Sequence, residues 1–227
     1  MNIAFIIRFH YAANDPNFEW RFAYFRSMVL PRILAQDFKS FEIAIWCNPW
    51  HHQRFLSLSD KIRVFGVRPE SEGYIRPEDR ERASSYHIDF THWQDVVGLP
   101  AYDLQIGLDS DDLIKENYLS RIIYEINSRR SDQLHICFQP MMFNLPNLTQ
   151  YDYKPQYGPH AGSPFFAILQ RGKENARYLF SYEYSHLSLP TYFSESIVVE
   201  AGYCWFTIHG SNESTKLPAT SVPILNP

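Results

Sequence analysis

The sequence has little of what would fix several function classes. Its 227 residues include only three cysteines, Cys47, Cys137 and Cys204, which are far apart and lie in apolar segments. A disulfide framework or a thiolate zinc site needs more cysteines at closer spacing, so these are expected to be buried thiols. No stretch approaches the roughly 18 apolar residues of a membrane span, and the N-terminus lacks the features of a signal peptide. A soluble, cytoplasmic protein is therefore expected.

The sequence also lacks a large excess of charge of either sign. The net charge is −4 with 20% charged residues, and there is no repeat or low-complexity block. This balance argues against a disordered acidic tail and against a basic arm that binds nucleic acid. Aromatic residues are abundant instead, at 16%, including 15 Tyr and 17 Phe. Such rings fill a core or line a groove that stacks on sugars or bases, and the core is the favoured interpretation for any single ring.

Hydrophobic periodicity in the first half alternates between strand and helix. Strands are predicted at 3–9, 41–47, 62–67 and 102–108, and helices at 22–36, 50–59 and 116–130. Pro31 lies inside the first helix and should kink or split it. The alternation predicts a parallel sheet with helices on its faces.

The second half is less regular. Strands are expected at 135–143 and 164–170, residues 197–209 are apolar, and residues 144–163 have no clear assignment. No linker composition separates the halves. A single domain over 1–227 is predicted, with one half at about 1–130, a second half at about 131–215 and an extended tail at 216–227.

The most informative motif is Asp109-Ser110-Asp111-Asp112, which follows the strand at 102–108. Alternation places Asp109 and Asp111 on the same side of the chain, at the strand end where α/β sheets bind ligands. A hard divalent cation, Mg²⁺ or Mn²⁺, would relieve the repulsion among three carboxylates. A turn or helix cap is the alternative, but capping needs only one aspartate.

Such a cation would bridge two phosphates and stabilise the charge on a departing diphosphate. On the residues alone, a transferase with a nucleotide-activated donor and a phosphohydrolase both remain open.

Several segments resemble glycosyltransferases of the GT-A fold. Residues 30–43, LPRILAQDFKSFEI, are similar to their SxLxQxxxxFE pattern, and residues 109–119, DSDDLIKENYL, to their DxDD…YL segment. Residues 7–11, IRFHY, with 208–212, IHGSN, most resemble the predicted rhamnosyltransferase family of bacteria and large viruses. The chain departs from that family at Arg32, where a small residue is typical, and at 106–108, which lack its usual arginine.

The resemblance implies a GT-A-like, Rossmann-related α/β fold. Its central, mostly parallel sheet would have helices on both faces and a smaller acceptor-side lobe. By the same resemblance, residues 1–130 would form the nucleotide-sugar-binding half and residues 131–215 the acceptor half. It also implies that the ends of the first two strands hold the nucleoside, which by position are Arg8, Phe9 and Asn48.

The same resemblance implies the metal site. Asp109 would lie near the ribose and the metal, Asp111 would ligate Mn²⁺ or Mg²⁺, and Asp112 would support these ligands or contact the sugar. A late histidine often completes the coordination, and His209 is the candidate. A structural role for a lone histidine after a strand is about as plausible, although imidazole does suit Mn²⁺.

The remaining candidates come from chemistry and position. A planar guanidinium suits a diphosphate, so Arg82, with Arg76 and Arg80, is a candidate, although a solvated charged loop is the favoured interpretation for each arginine alone. An inverting transferase needs a base for the acceptor hydroxyl. Glu183 and His186, among the aromatics of 182–186, are favoured for this role. Further candidates for the base are Glu195, Glu200 and His160.

The sequence therefore predicts a metal-dependent glycosyltransferase. It would move a sugar, with rhamnose as the candidate, from a nucleotide-diphosphate donor to a glycan or other hydroxyl acceptor. One alternative is a haloacid-dehalogenase-like phosphatase, but such enzymes place DxD on an early strand and Thr or Val where Leu113 stands. A second is a non-enzymatic carbohydrate-binding module with structural Ca²⁺. An all-β composition would favour that module, and the α/β alternation argues against it.

Overall fold

The computed structural model describes residues 1–9, 16–47, 51–66, 102–144, 149–152, 165–171, 189–208 and 223–224. The strands are β1 Ile3–Phe9, β2 Glu42–Cys47, β3 Ile62–Gly66, β4 Leu104–Asp109, β5 Leu113–Ile114, β6 Gln133–Phe138, β7 Met141–Asn144, β8 Thr149–Asp152, β9 Phe166–Gln170, β10 Glu195–Val199, β11 Cys204–Ile208 and β12 Pro223–Ile224. The α-helices are α1 Pro16–Tyr24, α2 Leu30–Leu34, α3 His52–Leu56 and α4 Tyr118–Asn127. A π-helical turn, Phe25–Val29, joins α1 to α2, and a 3₁₀ turn spans Leu189–Tyr192.

A seven-stranded sheet in the order β10-β6-β9-β4-β1-β2-β3 forms the centre of the fold. Its neighbours pair in parallel except at β9, which is antiparallel to both β4 and β6. The predicted α/β class with a mostly parallel sheet is thus confirmed. The strand order reverses at β1, because β2 and β3 extend the sheet to one side and β4 to the other.

A second sheet has five strands in the order β12-β8-β7-β11-β5. It contains β5 from the first half of the sequence, paired antiparallel with β11 from the second. The central sheet in turn takes β6, β9 and β10 from the second half. Both halves of the sequence therefore contribute to both sheets.

The first helix is divided, as Pro31 predicts. α1 begins at Pro16, earlier than the periodicity suggested, because the fixed φ of proline suits a first helical turn. Proline has no N–H and its ring excludes the carbonyl four residues earlier. The chain responds with the π-helical turn before Pro31, in which the Leu30 N–H donates to the Phe25 carbonyl. The Ser27 hydroxyl also donates to the Ala23 carbonyl, at 2.8 Å.

Two apolar segments, one of them predicted as a single strand, are each divided into two strands. The segment 135–143 divides at Pro140, so that β6 joins the central sheet and β7 the second sheet. The segment 197–209 divides into β10 and β11 at a turn that contains Gly202, whose φ of 106° favours glycine. A local apolar pattern does not distinguish one long strand from two that enter different sheets.

Aromatic rings pack β1, α1, α3 and the π-helical turn together. The Phe9 ring lies 5.9 Å from Phe18, 5.4 Å from Phe25 and 4.8 Å from Phe55, each edge to face. All four side chains are buried. The core interpretation is confirmed for these rings. The three cysteines are buried and free, as expected, and no helix among the described residues is long and apolar enough to cross a membrane.

Candidate functional site

The site lies where the carboxyl ends of β1 and β4 meet. These parallel neighbours pair Arg8 with Asp109 at their last shared position, and Phe9 pairs with Cys47 at the end of β2. Because the strand order reverses between β1 and β4, a crevice is expected outside this edge of the sheet. The aspartate cluster, Asp109, Asp111 and Asp112, begins at this point.

A tight turn shapes the aspartate cluster. β4 ends at Asp109, and the Asp112 N–H donates to the Asp109 carbonyl at 3.2 Å. Asp109 is half-buried, whereas Asp111 and Asp112 are buried. The chain continues directly into β5, whose pairing with β11 fixes the turn between the two sheets.

A guanidinium from α1 reaches the aspartate cluster. The Arg21 Nη1 atom forms an ion pair with the Asp111 Oδ2 atom, and the two side chains are 17% and 10% exposed. The sequence predicted that a positive charge would relieve the repulsion among the aspartates. In the structure a side chain provides one such charge.

The Asp112 carboxylate is bound to the second sheet. Its Oδ1 atom accepts a hydrogen bond from the Thr207 N–H of β11 at 3.1 Å. Burial, followed by the Asp111 and Asp109 carboxylates, raises the pKa of Asp112 well above its ordinary value. These contacts attach the aspartate cluster to β11 through Asp112.

Tyr24 ties α1 to the same strand. Its hydroxyl donates to the Thr207 Oγ1 atom at 3.3 Å, and burial raises the pKa of Tyr24 to about 12. Arg21 and Tyr24 are three residues apart, so they share one face of the helix. That face docks on the aspartate cluster and on β11 together.

Gln36 fixes the segment that follows the aspartates. Its fully buried amide donates to the Lys115 carbonyl at 2.6 Å and to the Arg32 carbonyl at 3.0 Å, and accepts from the Leu119 N–H at 2.8 Å. The Asp37 N–H adds a hydrogen bond to the Glu116 carbonyl. Gln36 thus connects α2 to the start of α4 through three hydrogen bonds. These hydrogen bonds give the glutamine of the 30–43 segment a structural role.

The aspartate cluster fits a hard divalent cation in its donor chemistry. Mg²⁺ at phosphate sites is held by one or two carboxylates, and water and phosphate oxygens take the other positions. Asp109 and Asp111 provide two such carboxylates. Across the described ranges, no three His, Cys, Asp or Glu side chains form a group that could hold a metal by themselves. The predicted ligand His209 lies outside those ranges.

Only part of the predicted nucleoside site falls on described residues. The Phe9 side chain is fully buried among other phenylalanines, so only its backbone is placed to meet a ligand. Arg8 has its backbone at the crevice, paired with Asp109. Asn48 and Arg82, together with Arg76 and Arg80, lie outside the described residues.

The favoured base candidates, Glu183 and His186, also lie outside the described residues, as does His160. Two further candidates have arginine partners. The Glu195 carboxylate accepts from the Arg129 Nε atom at 2.9 Å, and Glu200 lies 3.5 Å from the Arg121 guanidinium. Both ion pairs connect α4 and the segment after it to the edge of the central sheet.

Sequence reasoning missed Arg21, Tyr24 and Thr207. One signal was present: a helix that follows the first strand of a parallel sheet begins at the carboxyl edge, so a basic residue near its start lies close to carboxylates there. Thr207 carried no such signal, because its pairing with Asp112 depends on how the second sheet packs against the first.

No protein-family model matches the sequence, and no curated protein matches it. Solved structures of S. aureus TarS do match in fold. One TarS structure superposes with a TM-score of 0.54 at 14% identity, covering 92% of this chain and 37% of that one. The fold is GT-A-like. TarS 1-349 in complex with UDP-GlcNAc gives a TM-score of 0.52 at 14% identity, covering 96% and 62%.

TarS 1-349 in complex with UDP gives a TM-score of 0.52 at 14% identity, covering 92% of this chain and 61% of that one. The chain therefore spans less than two thirds of the TarS chains. At 14% identity this similarity supports the fold alone. The chemistry of the site has to be argued from its own residues.

Proposed function

We propose that the chain transfers a sugar from a nucleotide-diphosphate donor to a hydroxyl acceptor. The observation that carries this proposal is the placement of Asp109 and Asp111 at the carboxyl end of β4, beside the end of β1, in a GT-A-like fold. The TarS complexes with UDP-GlcNAc and UDP support a nucleotide sugar as the donor class.

The reaction exchanges one bond at the anomeric carbon for another. The acceptor hydroxyl oxygen forms the new glycosidic bond, and the bond to the diphosphate oxygen breaks, so the diphosphate leaves with the electron pair. A base takes the hydroxyl proton. Glu183 and His186 are the proposed bases, and the acceptor is a glycan or another hydroxyl compound.

Asp109 and Asp111, with Asp112 in support and His209 as a further ligand, are proposed to hold Mn²⁺ or Mg²⁺. When bound, the ion stabilises negative charge on the departing diphosphate. Arg8, Phe9 and Asn48 are proposed to hold the nucleoside, Phe9 through its backbone, and Arg82 the diphosphate. Rhamnose remains the proposed sugar, because residues 7–11 and 208–212 resemble the predicted rhamnosyltransferases.

Calorimetric titration with UDP-GlcNAc and with dTDP-rhamnose tests this function. We expect the preferred donor to bind in Mn²⁺ or Mg²⁺ and to bind at least about tenfold more weakly in EDTA or with Asp111→Asn, because a carboxylate ligand is lost. Asp60→Asn, an exposed aspartate outside the site, is the matched control.

Two results would refute the proposal. One is wild-type protein that binds neither donor under any metal condition. The other is release of phosphate from small phosphate esters without nucleotide-sugar binding, which would favour the phosphatase.

A further inference from the structure

Arg21 brings a positive charge into the proposed donor site. It extends from α1 rather than from the 68–82 segment that contains the predicted diphosphate arginines. Its guanidinium lies against the Asp111 carboxylate. This places a phosphate-binding group beside the residue that is proposed to hold the metal.

The electrostatics of the aspartate cluster require Arg21 to keep an anionic partner. Both members of the Arg21–Asp111 pair are mostly buried, and a buried charge without compensation is strongly destabilising. The aspartate cluster gathers three carboxyl groups within four residues. A nucleotide diphosphate would bring further negative charge to the same place, so a cation must face it.

The helix that carries Arg21 is attached to β11 near the aspartate cluster. The Trp20 ring stacks on Tyr24, with centroids 5.5 Å apart and planes 8° apart, and the Tyr24 hydroxyl bonds Thr207. The Arg21 Cζ atom lies 5.8 Å from the Trp20 ring. The guanidinium therefore extends from a helix that is attached to β11, and its side-chain torsions allow it to turn towards a new partner.

The chemistry of arginine suits an exchange of partners. A guanidinium presents five N–H donors in a rigid fork that matches carboxylate and phosphate oxygens alike. When another cation takes the Asp111 carboxylate, the guanidinium needs a second anion within reach.

We propose that Arg21 binds the diphosphate of the nucleotide donor, with its guanidinium moving from the Asp111 carboxylate to phosphate oxygens. This inference rests on the proposed function. Asp111 keeps Arg21 oriented while the site holds no donor, and the diphosphate replaces Asp111 as its partner when the donor binds. Arg21 is thus a binding residue for the leaving group.

The test compares a nucleoside diphosphate with its nucleoside. Wild-type protein, Arg21→Gln and Arg26→Gln are titrated in Mn²⁺ with UDP, dTDP and GDP by calorimetry, and with the matching nucleosides by ligand-observed NMR. Arg26 is an exposed arginine of the π-helical turn that follows α1, so its variant controls for the change in net charge.

We expect Arg21→Gln to weaken the preferred nucleoside diphosphate by about tenfold or more, the scale of a lost charged hydrogen bond. The nucleoside should bind within about twofold of wild type, because it lacks the phosphates, and Arg26→Gln should match wild type for both. Arg21→Lys, which keeps the charge and loses the fork, should weaken the diphosphate by a smaller factor. This variant carries the test if Arg21→Gln does not fold.

Equal diphosphate affinity in wild type and both Arg21 variants would overturn the inference while leaving the proposed function standing. A parallel loss of nucleoside and diphosphate binding would also overturn it, since that result indicates a purely structural role. Wild-type protein that binds no nucleoside diphosphate would instead refute the proposed function, and this inference with it.

Discussion

Gln36 shows how a single side chain can hold a distant segment in place. It sits 79 residues before Lys115 in the sequence, yet its amide satisfies backbone groups on both α2 and the start of α4. The first N–H groups of a helix have no partner within the helix, so the Leu119 N–H needs an acceptor from elsewhere. Gln36 provides that acceptor and thereby fixes the chain that follows the aspartate cluster.

Replacing Gln36 by alanine should destabilise the protein by about 3 kcal/mol, because buried backbone donors and acceptors would lose their partner. Urea denaturation followed by circular dichroism measures this loss. Gln53→Ala, at an exposed position of α3, should stay within about 0.5 kcal/mol of wild type. Equal stability of the two variants would show that the Gln36 hydrogen bonds do not support the fold.

The raised pKa of Asp112 leads us to expect that the stability of the protein depends on pH. Its folded pKa is raised well above 3.8, so the folded state holds this proton more tightly than the unfolded chain does. The protonated Asp112 side chain contributes fully to the free energy of unfolding below about pH 4. This contribution is lost as pH rises through the folded pKa of Asp112. Asp112→Asn cannot titrate there, and its amide oxygen can still accept from Thr207.

Thermal denaturation in EDTA between pH 4 and pH 8 tests this. Relative to wild type, Asp112→Asn should gain stability as pH rises. Asp60→Asn, at an exposed position, should follow the wild-type profile. If the Asp112→Asn and wild-type profiles run parallel, Asp112 does not carry a raised pKa.

Among the helices and strands, the sequence predicted best those that depend on a local hydrophobic pattern or on proline. The strands that became β1, β2, β3 and β4, the alternation with helices and the division at Pro31 all follow from periodicity and from proline geometry. The breaks at Pro140 and Gly202 were not predicted, since partner choice between two sheets depends on contacts distant in sequence. The aspartates of the site could be predicted, because their motif is local. Their partner Thr207 could not, and Arg21 was indicated only by its place near the start of the helix that follows β1.

The aromatic cluster that joins β1, α1 and α3 should dominate the stability of this part of the molecule. Phe55 is fully buried and contacts Phe9 and Phe22, with ring centroids at 4.8 and 5.1 Å. Phe55→Ala should cost about 4 kcal/mol, through lost burial and the cavity left behind.

The adjacent Leu56 is 47% exposed, and Leu56→Ala should change the free energy of unfolding by no more than about 0.5 kcal/mol. Guanidinium denaturation of both variants provides the measurement. A loss below about 1 kcal/mol for Phe55→Ala would mean that α3 is not anchored by this ring.

At the scale of the whole molecule, each of the two sheets contains strands from both halves of the sequence. β5, from the first half of the sequence, joins the second sheet, and β6, β9 and β10, from the second half, join the central sheet. Neither half of the sequence therefore forms a complete sheet alone. The site uses the same arrangement, since Asp111 pairs with α1 and Asp112 with β11.

We therefore expect a single unfolding transition for both sheets. Trp46 on β2 and Trp205 on β11 report on the central and second sheets respectively. With 5-fluorotryptophan incorporated, their ¹⁹F resonances should lose intensity at the same urea concentration, as a two-state domain requires. An earlier transition at Trp205 would show that the second sheet unfolds independently.

The most direct test of the proposed donor site is a crystal structure of the protein with UDP and Mn²⁺. We predict that the diphosphate lies at the carboxyl ends of β1 and β4, with Mn²⁺ between its oxygens and the Asp109 and Asp111 carboxylates. A nucleotide bound elsewhere on the molecule, with Asp111 still paired to Arg21 and no ion beside it, would contradict the proposal.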